Sequence, residues 1–523
     1  MEQALVDIWA EVLGIDRVGV QDNFFELGGD SILSIQVTSR ARKAGLLFAT
    51  KDLFIHQTVA ALAPVVTMTG TDDVDRQPVV GPVPLTPIQR WFLGSPRANP
   101  AHFNQSMLLE LADGLHEQAL RRALEALLAH HDALRMRFEQ VDGQWRQYNA
   151  PLELTDVLQR CDLSAVDASE QLAVMEGIAD GLHAGFDLTQ PPLLKAALFD
   201  LGADRRPYLF LVAHHLVVDG VSWRILLDDL DTAYRQAVRG EPVDLGSKST
   251  SFRDWALRLD EHVTAGALDH ELDHWVAALE ASELPVDHAQ PESQTSSSCE
   301  SVSLSDEDTE VLLRWAPTVY RTGINDVLLA ALGWALARWT GHSRVSIDLE
   351  GHGREEILDG VDLSRTVGWF TTMFPVAFDV AVTDEPQWRE LIKSVRRQLR
   401  ATPANGIGFG ALRYLGSESA RERLPVTGRG PHIVFNYLGQ WDGRPADEGE
   451  LYTSTLGSLG QDHDPADRGA HMIEVVGEVQ GGRLSVFWHY SPDLHDPATV
   501  KFVAGEFLDA LARIAQDCRE WDR

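Results

Sequence analysis

Two short strings in this 523-residue chain hold side chains whose types and spacing could do chemistry. The first is His214-His215-Leu216-Val217-Val218-Asp219-Gly220-Val221-Ser222-Trp223, directly after the apolar run from Tyr208 to Ala213. A continuous apolar run predicts a strand buried on both faces. Adjacent residues leaving a strand point to opposite sides, so one histidine can face a cleft while the other packs inward. Imidazole suits proton transfer because its unperturbed pKa of about 6.5 lies near neutrality. Asp219 and Gly220 then turn the chain into a helix. A purely structural histidine competes with this reading. A metal site is disfavoured, since adjacent imidazoles diverge and no third strong ligand has fitting spacing.

The second string is Leu27-Gly28-Gly29-Asp30-Ser31-Ile32-Leu33. Two glycines make a turn, Asp30 is a candidate N-cap, and a helix is expected from Ser31 to Lys43. A phosphate on Ser31 would meet unpaired N–H groups and the positive end of the helix dipole. The alternative is that Ser31 is only a second capping residue.

The elements around these strings follow from periodicity. Leu5, Ile8, Trp9, Val12 and Leu13 form the stripe of an amphipathic helix that stops near Gly14. With a short helix over Val59 to Val66, residues 1–68 read as a bundle of about four helices. Residues 69–83 read as a linker, rich in Gly, Asp and Pro. Beyond it strands and helices mix: a helix at Ala119 to His130, a strand around Leu134 to Phe138, and a helix at Val221 to Val238. A polar crossover is expected over Pro291 to Ser303. Then come helices from Asp306 and over Asn325 to Trp339, and a strand over Arg344 to Leu349. The layout predicts two α/β lobes, about 84–290 and about 300–523.

A formal net charge of -33 argues against nucleic acid and anionic membranes as partners. It fits solubility, or steering of a basic partner. Three separated cysteines, Cys161, Cys299 and Cys518, argue against a disulfide framework and for a reducing, cytoplasmic setting. No signal peptide or membrane-length apolar run is visible.

Asp22-Asn23-Phe24-Phe25-Glu26-Leu27-Gly28-Gly29-Asp30-Ser31 resembles the attachment motif of peptidyl carrier domains in nonribosomal peptide synthetases, across residues 1–68. The resemblance implies a 4′-phosphopantetheine arm on Ser31, flanked by Asp30 and added by a separate phosphopantetheinyl transferase. The His214–Trp223 string resembles the HHxxxDG motif of the condensation-domain superfamily, whose fold is like chloramphenicol acetyltransferase. The likeness covers about residues 84–515. Five further strings fit the epimerization members: Pro87–Phe92, His130–Arg135, Glu350–Glu355, Val367–Pro375 and Phe435–Gly439. Gly406–Gly410 is glycine-rich with the wrong spacing for a dinucleotide loop, and resembles another epimerization string.

That resemblance implies His215 as the active-site histidine. It gives supporting roles to His214, Asp219, Gly220, Ser222, Trp223 and Arg354, with Asp219 paired to Arg354. Asn436 and Tyr437 are expected to line the site, with Tyr437 orienting the thioester or donating to an enolate. Glu350 ends a strand of the second lobe and His215 one of the first, so a cleft between lobes would bring them together. Burial would raise the Glu350 pKa toward the working range. The implied reaction removes the α-proton of an aminoacyl or peptidyl thioester and returns one to the other face. Either of His215 and Glu350 could be the base. His352 could touch the site or support its loop. Thioester acidity makes pyridoxal phosphate and metal unnecessary. The implied partners are an upstream adenylation domain and a downstream condensation domain, with the chain a piece of a larger synthetase. The rival activities are amide formation between two carriers and docking by a dead site.

Overall fold

The computed structural model describes residues 1–68, 78–153, 155–279, 284–288, 297–426, 430–440, 450–467 and 469–521. Helix Glu2–Leu13 buries Leu5, Ile8 and Trp9 and stops where Gly14 takes φ 64°. Helix Ser31–Lys43 starts as expected: the Leu33 N–H donates to Asp30 Oδ1 at 2.7 Å. Helices Thr50–Ile55 and Val59–Leu62 complete the bundle, the last continued by a 3₁₀ turn over Ala63–Val65. Leu5, Trp9, Phe24, Val37, Leu53 and Leu62 belong to its own apolar core. Gly29 is required by packing, because a Cβ there would lie 2.3 Å from the Phe24 ring.

The larger part is built on two main sheets. One has five strands, in the order Tyr452–Thr455, Asn104–Leu111, Tyr208–His214, Leu194–Asp200, Leu158–Asp162. The other has six, in the order Ser298–Ser303, Arg483–Tyr490, Ile473–Gln480, Ile433–Gln440, Arg344–Gly351, Thr372–Asp379. Strand Tyr208–His214 is buried from Leu209 onward, as its apolar run demands. Helix Gly220–Val238 packs on helix Glu117–His130, and helix Ile324–Thr340 on Pro497–Trp521. Ile324–Thr340 is buried without a break from Val327 to Ala337, matching its apolar circumference.

Four expectations need correction. Of the linker 69–83, residues 69–77 lie outside the described residues, and Gly81–Val83 is a strand paired with Gln147–Asn149. Three residues are too few to show a period. The strand expected from Leu134 begins at Met136; Asp132–Arg135 is a 3₁₀ turn. Arg135 holds that turn by donating to the Leu128 and Ala129 carbonyls and to Asp132. Of the crossover Pro291 to Ser303, residues 291–296 lie outside the described residues, and Ser298–Ser303 is an edge strand whose polar side chains disguised it. Finally, Tyr452–Thr455 returns to pair with Asn104–Leu111, so the second lobe completes the first lobe's sheet.

Candidate active site

The two histidines divide as strand alternation predicts. His214 is fully buried. Its Nε2 donates to the Pro100 carbonyl at 2.9 Å, and its Nδ1 accepts from the Leu216 N–H at 3.1 Å. Burial pushes its pKa down to about 3, so it stays neutral and structural. His215 is only partly covered. Its ring stacks on Phe103 at 5.1 Å and 9°, and leans on Trp369 at 4.5 Å. Its Nδ1 lies 2.8 Å from the Val218 carbonyl and its Nε2 lies 3.1 Å from Gln105 Nε2. Burial lowers its pKa too.

Asp219 is a structural node. It caps helix Gly220–Val238 by accepting from the Ser222 N–H at 2.7 Å, and accepts from the Phe370 N–H at 3.0 Å. The Arg354 Nη2 donates to both its oxygens, at 2.9 and 3.2 Å. Arg354 also donates to the Leu363 and Thr366 carbonyls and lies 4.0 Å over the Phe370 ring. Ser222 Oγ bonds Gly368 through both its N–H and its carbonyl. The pair expected between Asp219 and Arg354 is therefore present, and it fixes the Gly368–Phe370 segment that carries Trp369 onto His215. Gly353 lets Arg354 reach inward: it has φ 66°, and a Cβ there would lie 1.7 Å from the Phe370 oxygen. His352 supports this loop, its Nδ1 accepting from the Arg354 N–H at 3.0 Å.

Glu350 lies one residue from the end of strand Arg344–Gly351. Asn436 Nδ2 donates to its Oε2 at 2.7 Å. Burial, reinforced by the Glu474 charge and opposed by His471, pushes its pKa up to about 7. Its strand neighbour Met373 is four residues beyond Trp369. The segment 369–373 thus runs from the His215 ring to the Glu350 backbone. Beside it lies a cavity of about 770 Å³ whose wall includes Trp91, Trp255, Asp348, Phe370 and Met373. Asp348 is two residues before Glu350, so it shares that strand face.

Tyr437 follows Asn436 on the strand and so turns to the other side, where it faces Asp30 and Arg224. Burial pushes its hydroxyl pKa above the usual range. Asp30 faces Arg224 and His352 as well, and burial raises its carboxyl pKa. The start of helix Ser31–Lys43 therefore addresses the same wall as Tyr437. Asp30, not Ser31, caps that helix, which leaves the Ser31 hydroxyl without a capping duty.

Sequence reasoning missed the contacts that hold the bundle here. Lys43 Nζ lies 2.6 Å from Asp228 and 3.1 Å from Asp229, Arg365 Nη1 donates to Ser39 Oγ at 2.7 Å, and Ile35 joins the larger core. Burial alone would raise the Asp229 pKa; Arg365 and His131 outweigh it and hold the carboxyl ionised. His130, His131 and Asp229 lie close enough to suggest a metal site. Arg365 and Lys43 already neutralise that carboxylate, so the cluster fits a salt-bridged core. Reversing the charge with Lys43→Glu places like charges together at a cost of several kcal/mol. Small-angle scattering should then show the bundle released, and adding Asp228→Lys should restore the compact particle in part.

Residues 3–65 match the family described as phosphopantetheine attachment site, and residues 79–523 match the condensation domain family. The chain belongs to the condensation-domain family, with a carrier unit ahead of a condensation-type fold. A linear gramicidin synthase polypeptide of Brevibacillus parabrevis is 44% identical over 529 residues. The match covers 98% of this chain but 7% of that polypeptide's length. Among solved structures, the epimerization domain from the third module of tyrocidine synthetase B aligns with a TM-score of 0.78 and 33% identity, over 87% of this chain and all of that one. The first condensation domain of the calcium-dependent antibiotic synthetase, at 20% identity, shares the fold with a TM-score of 0.63 over 84% of this chain and 97% of its own. The carrier match implies covalent 4′-phosphopantetheine, and an uncommitted serine at the first turn of a 13-residue helix fits its attachment. Among the described residues no helix is long and apolar enough to cross a membrane.

Proposed function

We propose that this chain is a carrier–epimerization unit of a nonribosomal peptide synthetase. Residues 1–68 act as the carrier, 69–78 as the tether and 79–523 as the epimerase. Ser31 bears the arm, which when bound presents an aminoacyl or peptidyl thioester with an acidified α-carbon. A phosphopantetheinyl transferase adds the arm, an adenylation domain loads it, and a downstream condensation domain draws off the D form. All of this takes place in the cytoplasm.

One observation carries the reading. A neutral imidazole from one lobe and a carboxyl poised near pH 7 from the other are linked by the single segment 369–373. Inversion needs a base and an acid on opposite sides of one carbon. His215 Nε2 takes the Cα proton, so a C–H bond breaks and an N–H bond forms. The Glu350 carboxyl gives its proton to the opposite face, leaving imidazolium and carboxylate, which re-equilibrate with solvent. The reverse direction starts from that second pair. Asn436 orients Glu350 through its 2.7 Å bond. Likeness to a tyrocidine synthetase epimerization domain supports the epimerase reading.

Transferring an L-aminoacyl phosphopantetheine arm from aminoacyl coenzyme A onto Ser31 of the apo protein with a phosphopantetheinyl transferase, in heavy water, tests it. The released acid should be Cα-deuterated and of both hands, His215→Ala should release undeuterated L acid, and Ser31→Ala should take up no arm. Undeuterated product from the parent protein, together with amide formation when a second loaded carrier is added, would instead mark a condensation domain.

A further inference from the structure

Gln105 stands between two side chains whose polarities leave it little freedom. On one side the Trp223 indole N–H lies 3.1 Å from its Oε1. Indole nitrogen only donates, so the Gln105 atom facing it must be the amide oxygen. The amide nitrogen then faces His215 Nε2 at 3.1 Å. That nitrogen carries only donors, so His215 Nε2 must be the acceptor. At the far edge of the ring, the Val218 carbonyl accepts and cannot donate, so Nδ1 must carry the hydrogen, at 2.8 Å. Trp223, Gln105, His215 and Val218 form one chain of bonds with every direction set by its ends.

We propose that Gln105 is a positioning residue that holds His215 in the Nδ1–H tautomer with Nε2 as its proton acceptor. The proposal rests on the reading of His215 as the proton-transfer group. It assigns the exchange of protons to one ring atom, because Nδ1 stays committed to the Val218 carbonyl. It also makes protonation of Nε2 conditional. An N–H on Nε2 would point at the N–H of Gln105, so the amide must turn or withdraw, and turning breaks the bond from Trp223. Resting His215 is thereby kept as the base form. The charges that face His215 are Asp219 on its own segment, Arg97 before the Asn104–Leu111 strand, and the neighbouring His214 and His463. Asp219 favours the imidazolium and is already neutralised by Arg354; Arg97 opposes it. None of the four bonds an atom of the imidazole, whereas Gln105 touches Nε2 directly.

Selective ¹⁵N labelling of histidine in the holo didomain tests this without reference to turnover. The His215 signals are assigned by their loss in His215→Gln. The parent should show a protonated Nδ1 and an unprotonated Nε2 at neutral pH. Gln105→Glu presents a carboxylate that accepts from Trp223 and from Nε2–H alike. It should raise the His215 titration midpoint by about one pH unit or more, the size expected for an opposite charge at this range. Trp223→Phe frees the amide to turn its oxygen toward Nε2, so it should shift the midpoint in the same direction. Glutamine restored at 105 in the Glu variant should return it. An Nε2–H tautomer in the parent, or an unmoved midpoint in both variants, overturns the proposal. If the tautomer is as stated but no Cα exchange occurs, the epimerase reading fails and the positioning of His215 stands.

Discussion

A Glu350→Gln protein should unfold at higher denaturant than the parent at pH 8, yet exchange Cα protons about 10²- to 10⁴-fold more slowly. Both effects come from one carboxyl. Burial raises its folded pKa from 4.5 to about 7. Between those two values the folded state binds more protons than the unfolded state, so stability falls as pH rises. Above pH 7 the full cost is present, at most about 3 kcal/mol. Glutamine keeps the acceptor for Asn436 Nδ2, carries no charge and removes that cost. It also cannot return a proton to carbon. At pH 4 the two proteins should be equally stable. The parent's rate should fall as pH rises through about 7, while the residual rate of the variant should lack that limb. A variant that exchanges at the parent's rate would remove Glu350 from the reaction. One that gains no stability at pH 8 would show that the carboxylate is well solvated.

Asp219→Ala should cost about 3–5 kcal/mol in equilibrium unfolding, a larger loss than the other single substitutions should bring. The Arg354 side chain is 1% exposed and would be left as a buried charge. The helix at Gly220 would lose its cap and the Phe370 N–H its acceptor. Segment 368–370 would then release Trp369 from His215, so activity should drop along with stability. Asp219→Ala with Arg354→Met removes both charges and should recover a good part of the stability without the activity. Denaturation midpoints of the three proteins decide this. A single mutant as stable as the parent would mean that water reaches Arg354.

Much of the candidate site was legible because it depends on local rules. The cap at Asp30, the helix from Ser31 and the stop at Gly14 follow from side chain–backbone bonds within a few residues. That His214 and His215 point to opposite sides follows from strand alternation, while the choice of His215 came with the resemblance. Gln105 was harder to see. Its available signal was the polar trio Asn104-Gln105-Ser106 opening a strand that is apolar from Met107 to Leu109, with Asn104 1% and Ser106 6% exposed. Buried polar groups need partners, but the strand does not name them.

By itself, the sequence determined the carrier bundle, the strand-ending histidine and carboxylate, and the family resemblance that joins them. The tertiary structure alone decided how those pieces face one another. It put Tyr437 beside Asp30, seated Lys43 on Asp228, returned Tyr452–Thr455 to the first sheet and ran the chain of bonds from Trp223 through Gln105 to His215. The reason is range. Periodicity and capping encode contacts a few residues apart, whereas Gln105 and His215 are 110 residues apart in sequence. Only the register of the Asn104–Leu111 strand against Tyr208–His214, and the packing of one lobe on the other, sets which distant polar groups meet.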